Sequence, residues 1–234
     1  ALRPAADAPR RHDRRLTAAV RTRVKICGIT RVDDGLAAAR AGADAIGLVF
    51  WRGSPRAVDL AQARAIAAAT PPFVTLVGLF VDPAPDEVRA ALAAVPLDLL
   101  QFHGAEAPAS CRAFGRPYLK ALAVAAGVDL LESAAAYGDA AGILLDAPPA
   151  DGLPGGTGRR FDWSRVPPAL PRPLVLSGGL DAGNVGEAIR RVRPWAVDVS
   201  SGVEARGADG RALRGIKDPA RIAAFIEEAR HADV

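Results

Sequence analysis

Two side chains that can move protons stand where short apolar runs end. Cys27 closes the run Val24–Cys27 in RVKICGIT (23–30), just before Gly28 turns the chain. Asp146 closes Gly142–Asp146 in ILLDA (143–147). A working thiol needs a lowered pKa and access. Side chains alternate along a strand, so Lys25 shares a face with Cys27. Lys25 and Arg56, from WRGSPRAV (51–58), are therefore expected to favour the thiolate. A competing expectation pairs Lys25 with an inward acid such as Asp198 beneath the site, and the two are compatible. Asp146 is not followed by a helix it could cap. The chain runs on through GLPGGTGRRFDW (152–163), so a functional carboxyl is expected there.

Other strand ends are also polar. LLQFHG (99–104) brings Gln101 and His103. LSGGL (176–180) brings Gly178 and Gly179, and VSSGVE (199–204) brings Ser200, Ser201 and Gly202. Glycines let a backbone come close to an anion, and serines add hydroxyl and N–H donors. Loops after the last two strands of a barrel often hold phosphate. These two loops, with Gly156 of GGTG (155–158) as a third edge, are expected to form such a site. His103 is one central histidine, since His12 and His231 lie near the ends. A single histidine does not build a His-rich metal site, so no metal is expected. Cys111, in APASCRAFG (107–115), reads as a small core residue of an outer layer.

These residues need a frame, and the chain repeats one. Apolar runs at 24–27, 45–50, 74–80, 97–102, 118–121, 142–146, 174–177 and 196–199 read as strands. Helical runs at 31–41, 59–69, 84–94, 106–114, 128–137, 182–191 and 218–230, with a short one near 163–169, lie between or after them. Strands apolar on both faces and alternating with helices imply βα units and a parallel sheet. Eight strands predict an α/β fold of one (β/α)₈ (TIM) barrel over 24–234, with catalytic groups at strand C-termini. No Gly-x-Gly-x-x-Gly follows the first strand, which disfavours a dinucleotide-binding sheet.

The totals suit that reading. The 234 residues are 50% hydrophobic and 24% charged, enough for a full core. Two cysteines imply no disulfide framework, so a reducing cytoplasm is the expected setting. No run approaches the ~18 apolar residues of a membrane helix. The pI of about 9.6 comes from residues 1–23, which hold seven Arg and two Asp. They carry +5 of a net +4, leaving about −1 for the rest, so no nucleic-acid partner is expected. Residues 1–23 are expected to be a disordered basic extension; a transit peptide or an interaction arm are the other readings.

Taken together, VKICGIT, GLVF…SPR, VGLFVD, LQFHG, LLDA, GGTGRRFDW, LSGGL…NV, VDVSSGVE and GIKD resemble the phosphoribosylanthranilate isomerases of tryptophan biosynthesis. The resemblance spans residues 24 to about 228. It implies an Amadori rearrangement of N-(5-phosphoribosyl)anthranilate without any cofactor, with Cys27 as general base and Asp146 as general acid. It also implies Arg56 near the anthranilate carboxylate, Gln101, His103 and Asp198 facing the substrate, and the Gly and Ser loops on the phosphate. The expected partner is this small phosphorylated molecule, in a monomer or homodimer. One departure is visible: the link 205–216 after SSGVE is longer than the family's usual one. The histidine-pathway Amadori enzymes, the nearest rivals, carry an aspartate at the end of strand 1, where this chain has Cys27. A barrel that only binds phosphosugars would need neither member of the proton-transfer pair.

Overall fold

A computed structural model describes residues 21–149 and 155–232. Eight parallel strands close into a barrel in sequence order: β1 (Arg23–Cys27), β2 (Ala45–Val49), β3 (Thr75–Phe80), β4 (Leu99–Phe102), β5 (Tyr118–Ala123), β6 (Gly142–Asp146), β7 (Leu174–Leu176) and β8 (Ala196–Val199). Strand β8 returns to β1 with Asp198 opposite Lys25. Outside run α1 (Val32–Ala41), α2 (Leu60–Ala69), α3 (Pro85–Ala94), α4 (Pro108–Arg112), α5 (Leu130–Ala135), α6 (Val185–Val192) and α7 (Pro219–His231). The predicted barrel is therefore the observed one. The expectation of a disordered extension falls almost wholly on residues 1–20, outside the described residues. Arg23 already belongs to β1, and Arg21 reaches the Asp44 carboxylate.

Local chemistry starts the helices. Asp59 accepts the Gln62 N–H at 2.8 Å while Gln62 accepts the Asp59 N–H at 3.0 Å, a reciprocal cap on α2. Pro85 opens α3, with Asp86 and Glu87 at the positive end of its dipole. Asp218 caps α7 through the N–H of Ala220.

Several predicted elements come out shorter, α5 and α6 among them, and two have a visible reason. Strand β4 begins at Leu99 because the Asp98 carboxylate turns away to accept the Leu76 N–H at 2.8 Å. The short helix near 163–169 is one 3₁₀ turn, Trp163–Arg165, stopped by Pro167 and Pro168. Helix α4 keeps only Pro108–Arg112. The long link after β8 is not a plain loop. Beyond a 3₁₀ turn (Ser201–Val203) it folds as an antiparallel hairpin, β9 (Glu204–Arg206) with β10 (Ala212–Lys217).

Inside the barrel, Leu119, Ala121, Leu144, Val175 and Ala196 pack as an apolar layer. The Lys25–Asp198 pair is also interior, and Cys27 packs with Val49 and Leu79. The large core lies between strands and helices, from Ile26 and Leu48 to Phe225 and Ile226. Cys111 belongs to that outer core and is wholly buried. Burial holds its thiol up at about 11, so it is an inert structural residue.

Candidate active site

A cleft open to solvent lies at the C-terminal ends of the strands. Cys27, Arg56, Gln101, His103, Asp146, Gly156, Gly178, Gly179, Asp198, Ser200 and Ser201 all line it. Of the residues expected from sequence, Gly202 is not part of the lining. A Cβ at Gly202 would stand 2.0 Å from the Leu180 carbonyl oxygen, so this residue packs the turn against the β7 loop.

Cys27 ends β1 opposite Gly47 of β2. The absence of a side chain at 47 makes room for the site. A Cβ there would lie 2.8 Å from the Cys27 Sγ and 3.1 Å from the Lys25 Nζ. Lys25 donates to Asp198 at 2.9 Å, both almost fully buried, so the structural half of the sequence expectation holds. Burial works against the ammonium, yet Asp198 and the neighbouring thiol raise its pKa and keep it charged. The other half is corrected. Burial raises the Cys27 pKa, Lys25 lowers it less, and Asp198 opposes Lys25. The resting group is therefore a neutral thiol. Arg56 is not a free cation beside it, because Glu204 takes its Nε at 2.7 Å and its Nη2 at 3.0 Å.

Asp146 ends β6, with β7 and β8 between it and β1 around the ring. Its Oδ1 accepts the Ala147 N–H at 2.8 Å, and its Oδ2 lies 3.3 Å from His103 Nε2. The other ring nitrogen of His103 meets the Gln101 amide at 3.0 Å. With that amide donating, the Nε2 of His103 is the nitrogen that can donate to Asp146. Gln101 is completely buried and its Oε1 has no protein partner. Gly178, at φ +89°, lets the β7 loop turn tightly past Asp146. A Cβ there would meet the Ala147 nitrogen at 2.9 Å and Asp146 Oδ1 at 3.2 Å.

Two residues of this region were quoted only as motif letters. Glu204 is wholly buried under Arg56 and also accepts the Gly215 N–H at 2.8 Å. Burial would raise its pKa, but Arg56, Lys217 and that N–H hold it below the usual carboxylate range. Lys217 is equally buried and donates to the Ser200 carbonyl at 3.0 Å. Burial brings its pKa down to about 8. Among the described residues no cluster of three His, Cys, Asp or Glu side chains is placed to hold a metal. None of the described helices is long and apolar enough to cross a membrane.

Barrel and cleft together define a (β/α)₈-barrel protein with a ligand cleft at the C-terminal ends of its strands, in which the glycine- and serine-rich loops after β7 and β8 lie between Asp146 and Cys27 around the ring. Residues 24–228 match the family model described as N-(5'phosphoribosyl)anthranilate (PRA) isomerase, and the chain belongs to that family. It is 59% identical over 210 residues to the N-(5'-phosphoribosyl)anthranilate isomerase of Pseudomonas putida strain W619, covering 90% of this chain and 98% of that one. Among solved structures, it is similar to a phosphoribosyl anthranilate isomerase in complex with reduced 1-(o-carboxyphenylamino)-1-deoxyribulose 5-phosphate. That match has a TM-score of 0.74 and 39% identity, over 90% of this chain and 99% of that one. It is also similar to monomers generated from the dimeric enzyme of Thermotoga maritima, with a TM-score of 0.74 and 37% identity over the same shares.

Proposed function

We propose that this chain isomerises N-(5-phosphoribosyl)anthranilate to 1-(2-carboxyphenylamino)-1-deoxyribulose 5-phosphate in tryptophan biosynthesis, with Asp146 as acid and Cys27 as base. The observation that carries the role assignment is their placement. Both line one cleft from separate strand ends, and the cleft is bordered by Gly156, Gly178, Gly179, Ser200 and Ser201.

The sequence of events follows from that placement. Protonated Asp146 gives its proton to the ribose ring oxygen. The C1–O bond breaks and the nitrogen lone pair forms a C1=N iminium. The Asp146 carboxylate then finds donors already in place, the Ala147 N–H at 2.8 Å and His103 at 3.3 Å. Cys27 acts as thiolate and takes the C2 proton; those electrons form C1=C2 and neutralise the nitrogen. The enolamine takes its C1 proton from the Cys27 thiol and gives its C2 hydroxyl proton to the Asp146 carboxylate, giving the ketone and restoring both groups. The proton that Cys27 sheds to enter the cycle goes to solvent, and no redox partner is involved. The iminium adds a positive charge beside a thiol already close to Lys25. The thiolate is thus favoured when it is needed, although burial disfavours it at rest. Holding the phosphate at the β7 and β8 loops fixes C1 and C2 between the two groups.

The direct test follows the fluorescence of the anthranilate substrate as it is consumed by the purified chain. Asp146→Asn keeps the shape and removes the proton donor. Its turnover should fall ~10²-fold or more, the usual scale of general acid–base catalysis, while a reduced product analogue still binds. Near-normal turnover in Asp146→Asn would remove the acid assignment.

For assembly, we propose a homodimer formed through the N-terminal end of the barrel. Phe73, just before β3, is fully exposed and non-glycine at φ +70°. Trp195, just before β8, is half-exposed at the same end. A cavity of about 240 Å³ at this end is lined by Trp195, Val77, Leu99 and Val175, with Arg23 and Asp44 at it as well.

A further inference from the structure

Resting on the isomerase reading, we infer that Glu204 is the positioning residue of the carboxylate end of the site, acting through Arg56. Glu204 opens β9 and is not itself part of the cleft lining, which it meets through Arg56. Its Oε1 accepts Arg56 Nε at 2.7 Å and the Gly215 N–H at 2.8 Å, with Lys217 Nζ at 3.5 Å. Its Oε2 accepts Arg56 Nη2 at 3.0 Å. The pairing is bidentate on one edge of a planar guanidinium, which fixes its orientation as well as its place.

The opposite edge is left for a ligand. Among the described residues Nη1 has no hydrogen-bond partner, and it lies against Gly156; a Cβ there would stand 2.6 Å from it. Arg56 lines the cleft although only 6% of its side chain is exposed. A guanidinium locked along one edge offers the Nη1/Nη2 edge as a ready fork for a planar carboxylate. A buried arginine without Glu204 would carry an uncompensated charge and swing among rotamers.

Glu204 also joins the two ends of the site. Lys217, held beside it on β10, donates to Ser200 at 3.0 Å to the carbonyl and 3.3 Å to the hydroxyl. Ser200 is on the phosphate side of the cleft. One carboxylate therefore keeps the base of the hairpin, the aryl-carboxylate fork and the loop after β8 in a single arrangement. Its effect on substrate passes first through Arg56, with which it shares two bonds.

The test is a comparison of Glu204→Gln with wild type, using the substrate and a reduced product analogue whose aryl ring lacks the carboxylate. In Glu204→Gln the KM for phosphoribosylanthranilate should rise about tenfold or more, the scale of a lost charge-assisted hydrogen bond, with kcat within about threefold. The analogue without the carboxylate should bind wild type and variant alike. Glu204→Gln on an Arg56→Ala background should add no further loss. An unchanged KM, an equal loss for the analogue, or additive losses would each overturn the inference. If Glu204→Gln does not fold, Glu204→Asp keeps the charge, withdraws it by one methylene and must show the same selective rise in KM. Absence of turnover in wild type would instead sink the isomerase reading.

Discussion

A cysteine at the exit of a strand is exposed to two opposing forces, and their balance decides how it behaves. Cys27 is 5% exposed, and removal from water penalises the thiolate more than the ammonium groups of Lys25 and Lys217 favour it. The consequence for labelling is specific. Alkylation needs the thiolate, and a raised pKa leaves less of it at any given pH. Iodoacetamide should therefore react with Cys27 more slowly than with free cysteine at neutral pH. The rate should still be climbing at pH values where a free thiol, near pKa 8.5, has levelled off. A phosphorylated product analogue should protect it, because the Sγ faces the same cleft. Peptide mapping by mass spectrometry checks this, with Cys111, wholly buried, as the internal control. Fast labelling at neutral pH would mean that the thiolate is favoured at rest. The sequence placed Cys27, Asp146 and Lys25 correctly, because alternation along a strand and position at its end are local properties. It could not reveal that Arg56 is already neutralised, since its partner Glu204 lies 148 residues away in the chain.

At the scale of elements, all eight barrel strands were legible because each is a short apolar run flanked by turn residues and followed by a helical pattern. The hairpin Glu204–Lys217 was not. Its strands are dominated by Arg, Gly and Ala, and β10 pairs with β9 through an irregular register. Nothing in that composition says strand; the pairing is imposed from both ends, by Glu204 under Arg56 and Lys217 under Ser200. The hairpin tip is different from its base. Gly207 to Gly210 form a turn with Gly210 at φ +77°, and the exposed Asp209 and Arg211 beside them bond only within that turn. Replacing residues 207–211 by a two-residue Asn-Gly turn, the preferred hairpin connection, should leave melting temperature and KM unchanged. Calorimetry and the fluorescence assay decide it. A tenfold rise in KM would show that the tip covers the substrate. An unchanged enzyme would show that the extra length of this link is decoration on a functional base.

The whole molecule has two ends, and they differ in what they leave exposed. The C-terminal end of the barrel holds the cleft. The N-terminal end presents Phe73, whose ring is fully exposed and whose backbone sits at φ +70°, a conformation that costs a non-glycine residue of order 1 kcal/mol or more. Covering that side chain would bury apolar surface that is now in water, which favours association at this end. The cavity at the same end, about 240 Å³ and lined by the apolar starts of several strands, is large enough for an aromatic ring. In the proposed homodimer a two-fold axis would set each Phe73 against the other copy's barrel end. Phe73→Ser removes the apolar ring and leaves the cleft at the far end untouched. The wild-type chain should sediment as a dimer at micromolar concentration, and Phe73→Ser as a monomer. The variant should retain turnover, because every proposed catalytic and binding group comes from one chain. Its melting temperature should become independent of protein concentration, as mass action requires once association is lost. Sedimentation velocity on both proteins decides the matter. A wild-type chain that is monomeric across that range, or a Phe73→Ser chain that remains dimeric, would move the interface elsewhere or remove it.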